Sequence, residues 1–231
     1  ADGAPALVNP NNLTTKEKKE YDISWRGIGY NQFASDRISV RRYIPDNRED
    51  GCKVKHYNLE GLDKTSVIVP FHNEPYTIIL RLVHSILDRS PPDLLEEVIL
   101  VDDASNWEIV KKPLEDYVAQ LDGKVKIVRL KKRLGLIQAK MRGADAATAP
   151  ILTFLDAHSE CWLEPLLSEI KVNKRTVISP VIVYVNGWTL QMDNWPSSHI
   201  EWGSFTWDMY FDTRPPPKAN MNRPGGPYSA I

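Results

Sequence analysis

Four short runs of β-branched and aliphatic residues constrain the fold more than any other feature of this chain. They are Thr65–Phe71 (TSVIVPF), Val98–Val101 (VILV), Val125–Leu130 (VKIVRL) and Ile151–Leu155 (ILTFL). Each is apolar almost throughout, as expected of a strand buried on both faces. Between them lie stretches with helical spacing. Ile78, Ile79, Leu82, Val83, Ile86 and Leu87 follow Pro75, which suits a first helical turn because its missing N–H has no partner there. Ser90-Pro91-Pro92 stops that helix. Trp107–Leu121 reads as a helix. Leu136–Ala147 (LIQAKMRGADAA) is a helix of small residues able to pack closely on a sheet. Trp162–Val172 is a further helix and Val177–Val185 a further strand. Strands alternating with helices specify an α/β fold, a mostly parallel sheet with helices on both faces.

The flanking regions lack this alternation. Residues 1–64 are polar, carry charge clusters such as KEKKE, and read as an extended arm with a short helix near Thr15–Tyr21; residues 65–231 form the main unit. After Asn186 the pattern gives way to a loop-rich region holding Trp188, Trp195, Trp202 and Trp207, then a stretch rich in Pro and Gly. These aromatics suit stacking on a sugar or a peptide, or simple packing. The 231 residues carry 29 Lys+Arg against 30 Asp+Glu, so no basic field invites nucleic acid. No apolar run reaches the ~18 residues of a membrane span, and no signal-peptide core is present. Cys52 and Cys161 are too few to define a disulfide framework or a zinc site. Asn12-Leu13-Thr14 matches the N-glycosylation pattern, a triplet that also arises by chance.

In a parallel α/β sheet, ligands bind at the carboxyl ends of the strands. The first strand ends in Phe71-His72-Asn73-Glu74, the second in Asp102-Asp103. The third is followed by Lys131-Lys132-Arg133 and Gly135, and the fourth by Asp156 and His158. Asp156 and His158 are two apart, so on extended backbone they point to one side. A carboxylate oxygen and an imidazole nitrogen together suit Mn²⁺ or a similar divalent ion. Such an ion completes its shell with substrate phosphates. The alternative is a turn capped by Asp156 beside a surface histidine. Asp103 is suited either to bonding a sugar hydroxyl or a base N–H, or to opening a turn with Ala104-Ser105-Asn106. Arg133 suits a phosphate, or belongs to a solvated basic loop. Neither phosphate-binding glycine fingerprint occurs, so a nucleotide here would rely on carboxylates and a metal. No residue reads as a nucleophile or general base.

Several motifs occur together and in order: NQFASDRISVRR (31–42), CK (52–53), FHNE (71–74), ILRLVHS (79–85), RSPPDLLEEVILVDDAS (89–105) and LTFLDAH (152–158). This linked set resembles the polypeptide N-acetylgalactosaminyltransferases, which start mucin-type O-glycosylation. The likeness runs over residues 24–183 and more loosely to 231. It implies a GT-A glycosyltransferase-like fold, C-terminally truncated, in a protein of the Golgi lumen with a membrane anchor at full length. The implied reaction moves GalNAc from UDP-GalNAc to Ser or Thr of a protein or peptide acceptor, with retention and with Mn²⁺. By resemblance, Asp156 and His158 are the D-x-H metal pair. His72, Asp103, Arg133, Asp156, Gly225 and Gly226 contact the UDP-sugar, and Phe205 and Trp207 lie on the acceptor side. Cys52 would pair with a later cysteine.

The sequence also departs from that family. Ser159-Glu160-Cys161 runs straight into Trp162-Leu163-Glu164-Pro165, where the family has C-E-C, a few more residues and then W-L-E-P; Gln138 stands where a basic residue is common. The family's third metal ligand, a later histidine, has no counterpart. The alternative expectation is therefore an inactive relative that folds without transferring sugar.

Overall fold

The computed structural model describes residues 5–24, 29–44, 46, 50–156, 163–180, 185–191, 202–208 and 210–214. Four strands, β1 (Thr65–Phe71), β2 (Leu95–Asp102), β3 (Val125–Arg129) and β4 (Ile151–Phe154), form one parallel sheet in the order β3-β2-β1-β4. The four apolar runs of the sequence are therefore the four strands. Their register brings Phe71 level with Asp102, and Asp102 level with Arg129, so the first three strands end together.

Alternate strand residues point opposite ways, and the central strands β1 and β2 are covered on both faces. Val67, Val69 and Phe71 of β1 join Val98 and Leu100 of β2 in one apolar cluster. Over it lie α4 (Tyr76–Arg89) and α5 (Lys112–Val118), which supply Ile79, Leu82, Val83, Ile86, Leu114 and Val118. On the other face Ile68, Ile99 and Val101 meet Ala139 of α6 (Leu136–Ala146). The small residues of α6 are what allow the contact. A Cβ on Gly143 would stand 2.3 Å from Ile68 Cγ2 and 3.0 Å from Val101 Cγ2, so no larger residue fits without movement. Leu163 and Leu167 of α7 (Leu163–Val172) pack with Leu94 in a third, smaller cluster.

Glu97 fastens the amino end of β2 to the chain leaving α6. Its Oε1 accepts from Ser66 Oγ (2.9 Å), Thr148 N (2.8 Å) and Thr148 Oγ1 (2.8 Å), and its Oε2 pairs with Lys126 Nζ at 2.6 Å. Burial alone would raise this carboxyl's pKa. The bonds from Lys126, Thr148 and Ser66 outweigh burial and pull it down to about 2.

Three expectations need correction. Trp107–Leu121 is not one helix: a 3₁₀ turn at Glu108–Val110 precedes α5, and Pro113 sits in α5's first turn. Proline there lacks the N–H that a continuous helix would need and crowds the carbonyl four residues back, so the helix begins anew. The strand at Val177–Val185 is not formed in residues 177–180, where Val177 is 98% exposed and Pro180 interrupts the run; 181–184 lie outside the described residues. The loop-rich region contains a hairpin, β5 (Trp202–Phe205) against β6 (Phe211–Arg214). Thr206 closes it by donating N–H to Tyr210 O at 2.9 Å, a turn with no glycine or asparagine to announce it.

Among the described residues ahead of β1 lie three short α-helices, α1 (Thr15–Ser24), α2 (Gln32–Ser35) and α3 (Asp50–Lys53). Asn31 caps α2 by accepting from Ala34 N at 2.9 Å. Phe33, Ala34 and Ile44 are buried. Arg81 of α4 reaches back to Ser35, donating to its Oγ at 3.1 Å and its carbonyl at 3.0 Å.

Candidate nucleotide-sugar site

The carboxyl edge of the sheet collects the residues singled out at the strand ends. His72 follows β1 and is half-buried. Its Nδ1 lies 2.8 Å from the Asp103 carbonyl, which can only accept, so Nδ1 carries the proton. Nε2 is then an acceptor, 3.3 Å from the Asn73 carboxamide nitrogen. Asn73 adopts φ 51, a left-handed conformation that asparagine tolerates. That turn lets it stitch two loops together: Asn73 N donates to Ser105 Oγ (2.9 Å), and Asn73 Oδ1 accepts from Asn106 N (2.9 Å).

The two adjacent aspartates have separate tasks. Asp102 accepts from Ser105 N at 2.8 Å and pairs with Arg129 at the end of β3. Arg129 also donates to the carbonyls of Val110 (3.0 Å) and Lys111 (3.1 Å) and to Glu115 Oε1 (3.0 Å). Asp102 thus belongs to the framework. Asp103 is 5% exposed and turns to the α6 side. Its Oδ1 accepts from Leu134 N at 2.7 Å and its Oδ2 from Gly135 N at 2.8 Å. Gly135 has φ 87 and caps α6, a conformation closed to most side chains. The carboxylate therefore sits at the positive end of the α6 dipole and fixes the loop that carries Lys131, Lys132 and Arg133, all three exposed.

β4 contributes from the sheet's edge. Leu155 N donates to Ile68 O at 3.0 Å, which extends the ladder one residue and delivers Asp156 to the same carboxyl edge, exposed. His72, Asp103, Arg133 and Asp156 are thus all carried by loops of one sheet edge, with direct contact between the His72 ring and the Asp103 backbone. His158, Gly225 and Gly226 lie outside the described residues. Among the described residues, no three His, Cys, Asp or Glu side chains converge on a metal position. Trp207 is fully exposed at the β5–β6 turn; of Phe205 the structure describes the backbone, in β5.

Sequence reasoning missed two positions here, Asn73 and Arg129. An asparagine two residues past the end of a buried strand is a signal for left-handed backbone, and it was available in FHNE. Arg129 gave none, because its partner is fixed by strand register, which a single sequence does not reveal.

Comparison with known proteins gives the family and the fold. Residues 66–223 match the sequence profile described as glycosyl transferase family 2. Polypeptide N-acetylgalactosaminyltransferase 5 of Caenorhabditis elegans is 45% identical over 97% of the chain, and polypeptide N-acetylgalactosaminyltransferase 10 of Homo sapiens is 43% identical over 93%. The chain spans 37% and 36% of those relatives, about a third of their length. A crystal structure of GalNAc-T7 with UDP, GalNAc and Mn²⁺ superposes with a TM-score of 0.84 at 34% identity, covering 94% of this chain and 41% of that one. The resemblance carried by the linked motifs is borne out in sequence and in fold, and the sheet is GT-A-like. This chain belongs to glycosyl transferase family 2.

Proposed function

We propose that the chain carries the UDP- and metal-binding part of a retaining polypeptide N-acetylgalactosaminyltransferase, one that moves GalNAc from UDP-GalNAc to Ser or Thr of a protein in the Golgi lumen. The observation that carries this reading is the Asp103 clamp. One buried residue fixes both loops at the edge where Asp156 emerges: the Asp103 carbonyl accepts from the His72 ring, and its carboxylate accepts from the loop that carries Arg133. The GalNAc-T7 structure, which holds UDP, GalNAc and Mn²⁺, supports it by likeness.

Asp156 and His158 would hold Mn²⁺; an oxygen and a nitrogen donor fit that ion. When bound, it neutralises charge developing on the leaving diphosphate. Arg133 donates to the diphosphate oxygens in fork geometry. His72, with its proton fixed on Nδ1, offers Nε2 as an acceptor beside the base, and by resemblance Gly225 and Gly226 would be the glycines assigned to the sugar. By resemblance, Trp207 and Phe205 are assigned to the acceptor side. By resemblance to the family, the acceptor proton goes to the leaving phosphate, which fits the lack of a nucleophile or base among the described residues of the site. Residues 1–64 act as an arm wrapped on the unit 65–231; the buried Phe33, Ala34 and Ile44 and the Arg81–Ser35 bonds support this. A membrane anchor belongs to the full-length protein.

Titration calorimetry of UDP with Mn²⁺ tests the reading. Asp156→Ala abolishes metal-dependent binding; unchanged binding would sink the assignment. The shortened Ser159-Glu160-Cys161-Trp162 stretch beside the metal pair favours a second reading, a relative that binds UDP without transferring sugar. Transfer of labelled GalNAc to a Ser/Thr-rich peptide, abolished by chelator, removes it.

A further inference from the structure

Asn12-Leu13-Thr14 is the single Asn-x-Ser/Thr triplet in the 231 residues, and nothing in the nucleotide-sugar site uses it. Its setting is a built turn. Asn9 Oδ1 accepts from Asn11 N at 3.0 Å and opens a 3₁₀ turn over Pro10–Asn12. Leu13 is extended (φ −86, ψ 142) and leads into α1. Asn12 is exposed, and its carboxamide joins none of the bonds that hold the turn. Thr14 is occupied instead: it caps α1 with Glu17 in a reciprocal pair. Thr14 Oγ1 donates to Glu17 Oε2 at 2.7 Å, Thr14 N donates to the same oxygen at 3.0 Å, and Glu17 N donates back to Thr14 Oγ1 at 3.3 Å.

We infer that Asn12 is an N-glycan acceptor and that Thr14 serves twice, first as the hydroxyl that presents Asn12 to the glycan transferase and then as the cap of α1. The order follows from the hydrogen bonds. A hydroxyl held by Glu17 is not free for the transferase, so the glycan is added while residues 12–17 are still unfolded, and the cap closes afterwards. In the transfer, Asn12 Nδ2 forms a bond to the anomeric carbon of a lipid-linked diphospho-oligosaccharide. The bond from that carbon to the diphosphate oxygen breaks, the lipid diphosphate leaves, and the Nδ2 proton passes to a base of the transferase. A bulky glycan is compatible with the folded chain because the turn is exposed. The inference rests on the secretory location proposed above, since only there does the chain meet that donor.

The test is expression of the whole chain behind a cleavable secretion signal in a eukaryotic cell, followed by peptide N-glycosidase and mass spectrometry of protein from the medium. The expected result is glycan on Asn12, with its conversion to Asp on enzymatic release. Asn12→Gln loses all glycan while α1 remains protected in hydrogen exchange. Thr14→Asp also loses the glycan but keeps the cap, whereas Thr14→Ser keeps both and Thr14→Ala loses both. Secreted protein bare at Asn12 overturns the inference. So does glycosidase-sensitive mass that persists in Asn12→Gln. Neither result touches the UDP and Mn²⁺ reading, which calorimetry on the same sample judges separately.

Discussion

Helix α6 is held at both ends by a carboxylate from one strand, and the two ends are held differently. At its carboxyl end Glu97 is met mainly by side chains, Lys126, Thr148 and Ser66, with one backbone N–H. At its amino end Asp103 is met by backbone alone, the N–H groups of Leu134 and Gly135. Side-chain partners on adjoining strands make a staple whose loss is felt in stability. Backbone partners in a loop make a positioning device, because whatever the loop carries goes where the carboxylate sends it. The same residue chemistry thus supports the fold at one edge of the sheet and aims a candidate ligand-binding loop at the other.

The largest expected effect breaks the staple. Glu97→Ala removes the charge partner of the half-exposed Lys126 and leaves the donors of Thr148 and Ser66 without their acceptor. It lowers stability by about 2–4 kcal/mol, read by chemical denaturation. Glu97→Gln sharpens the point through pH. The folded carboxyl titrates at about 2 against 4.5 for the ordinary group, so its contribution is present above about 4.5 and fades as pH falls toward 2. That contribution is up to about 3 kcal/mol, and the acid sensitivity it creates is absent from the glutamine variant.

At the other end, Asp103→Asn retains one acceptor and costs about 1–3 kcal/mol of stability. Its greater effect is on UDP affinity in calorimetry, a loss of about tenfold or more for each 1.4 kcal/mol of lost loop positioning. Equal losses of stability in the Glu97 and Asp103 variants, with UDP binding intact in both, would erase the distinction between the two ends. Gly143→Ala strikes midway and pushes α6 off Ile68. About 1–3 kcal/mol is lost, a fall in Tm of several degrees by calorimetric scan.

The smallest effect belongs to the opposite face. His84 accepts from Arg41 Nε at 2.9 Å and so donates from Nε2 to Tyr117 Oη at 2.6 Å. Burial first, then the Arg41 charge, lowers its pKa below 6.5, against a weaker pull from Asp88. A lowered histidine contributes stability above the unfolded value and loses it as pH drops below about 6.5. A shallow loss in that window, absent in His84→Gln, separates this face from the Glu97 staple, which responds only in stronger acid.

Much of this was legible before any coordinates. The central strands β1 and β2 announce themselves because parallel strands buried on both faces are apolar throughout, while β3 and β4 at the sheet's edges are only partly buried and were legible from their β-branched and aliphatic residues. The fit of α6 was readable from its alanines and glycine. Trp107–Leu121 misled because the apolar spacing continued across Pro113, and a proline outranks spacing. Residues 177–180 misled because β-branched runs show what a strand requires, not whether a neighbour is there to pair with it. The site was half legible. The carboxyl-edge rule brought His72, Asp103, Arg133 and Asp156 to one place, yet it could not divide the tasks of Asp102 and Asp103. That division depends on which face each side chain takes and on the strand beside it.

One consequence of β2 extends past any single substitution. Glu97, Ile99, Val101 and Asp103 fall on alternate positions and turn to the same side, so the strand works as a ruler whose two end marks grip one helix. Its parity is what matters. A residue inserted or deleted between the marks would turn one carboxylate into the apolar layer under α4 and α5. This stretch of six steps admits substitution but no change of count.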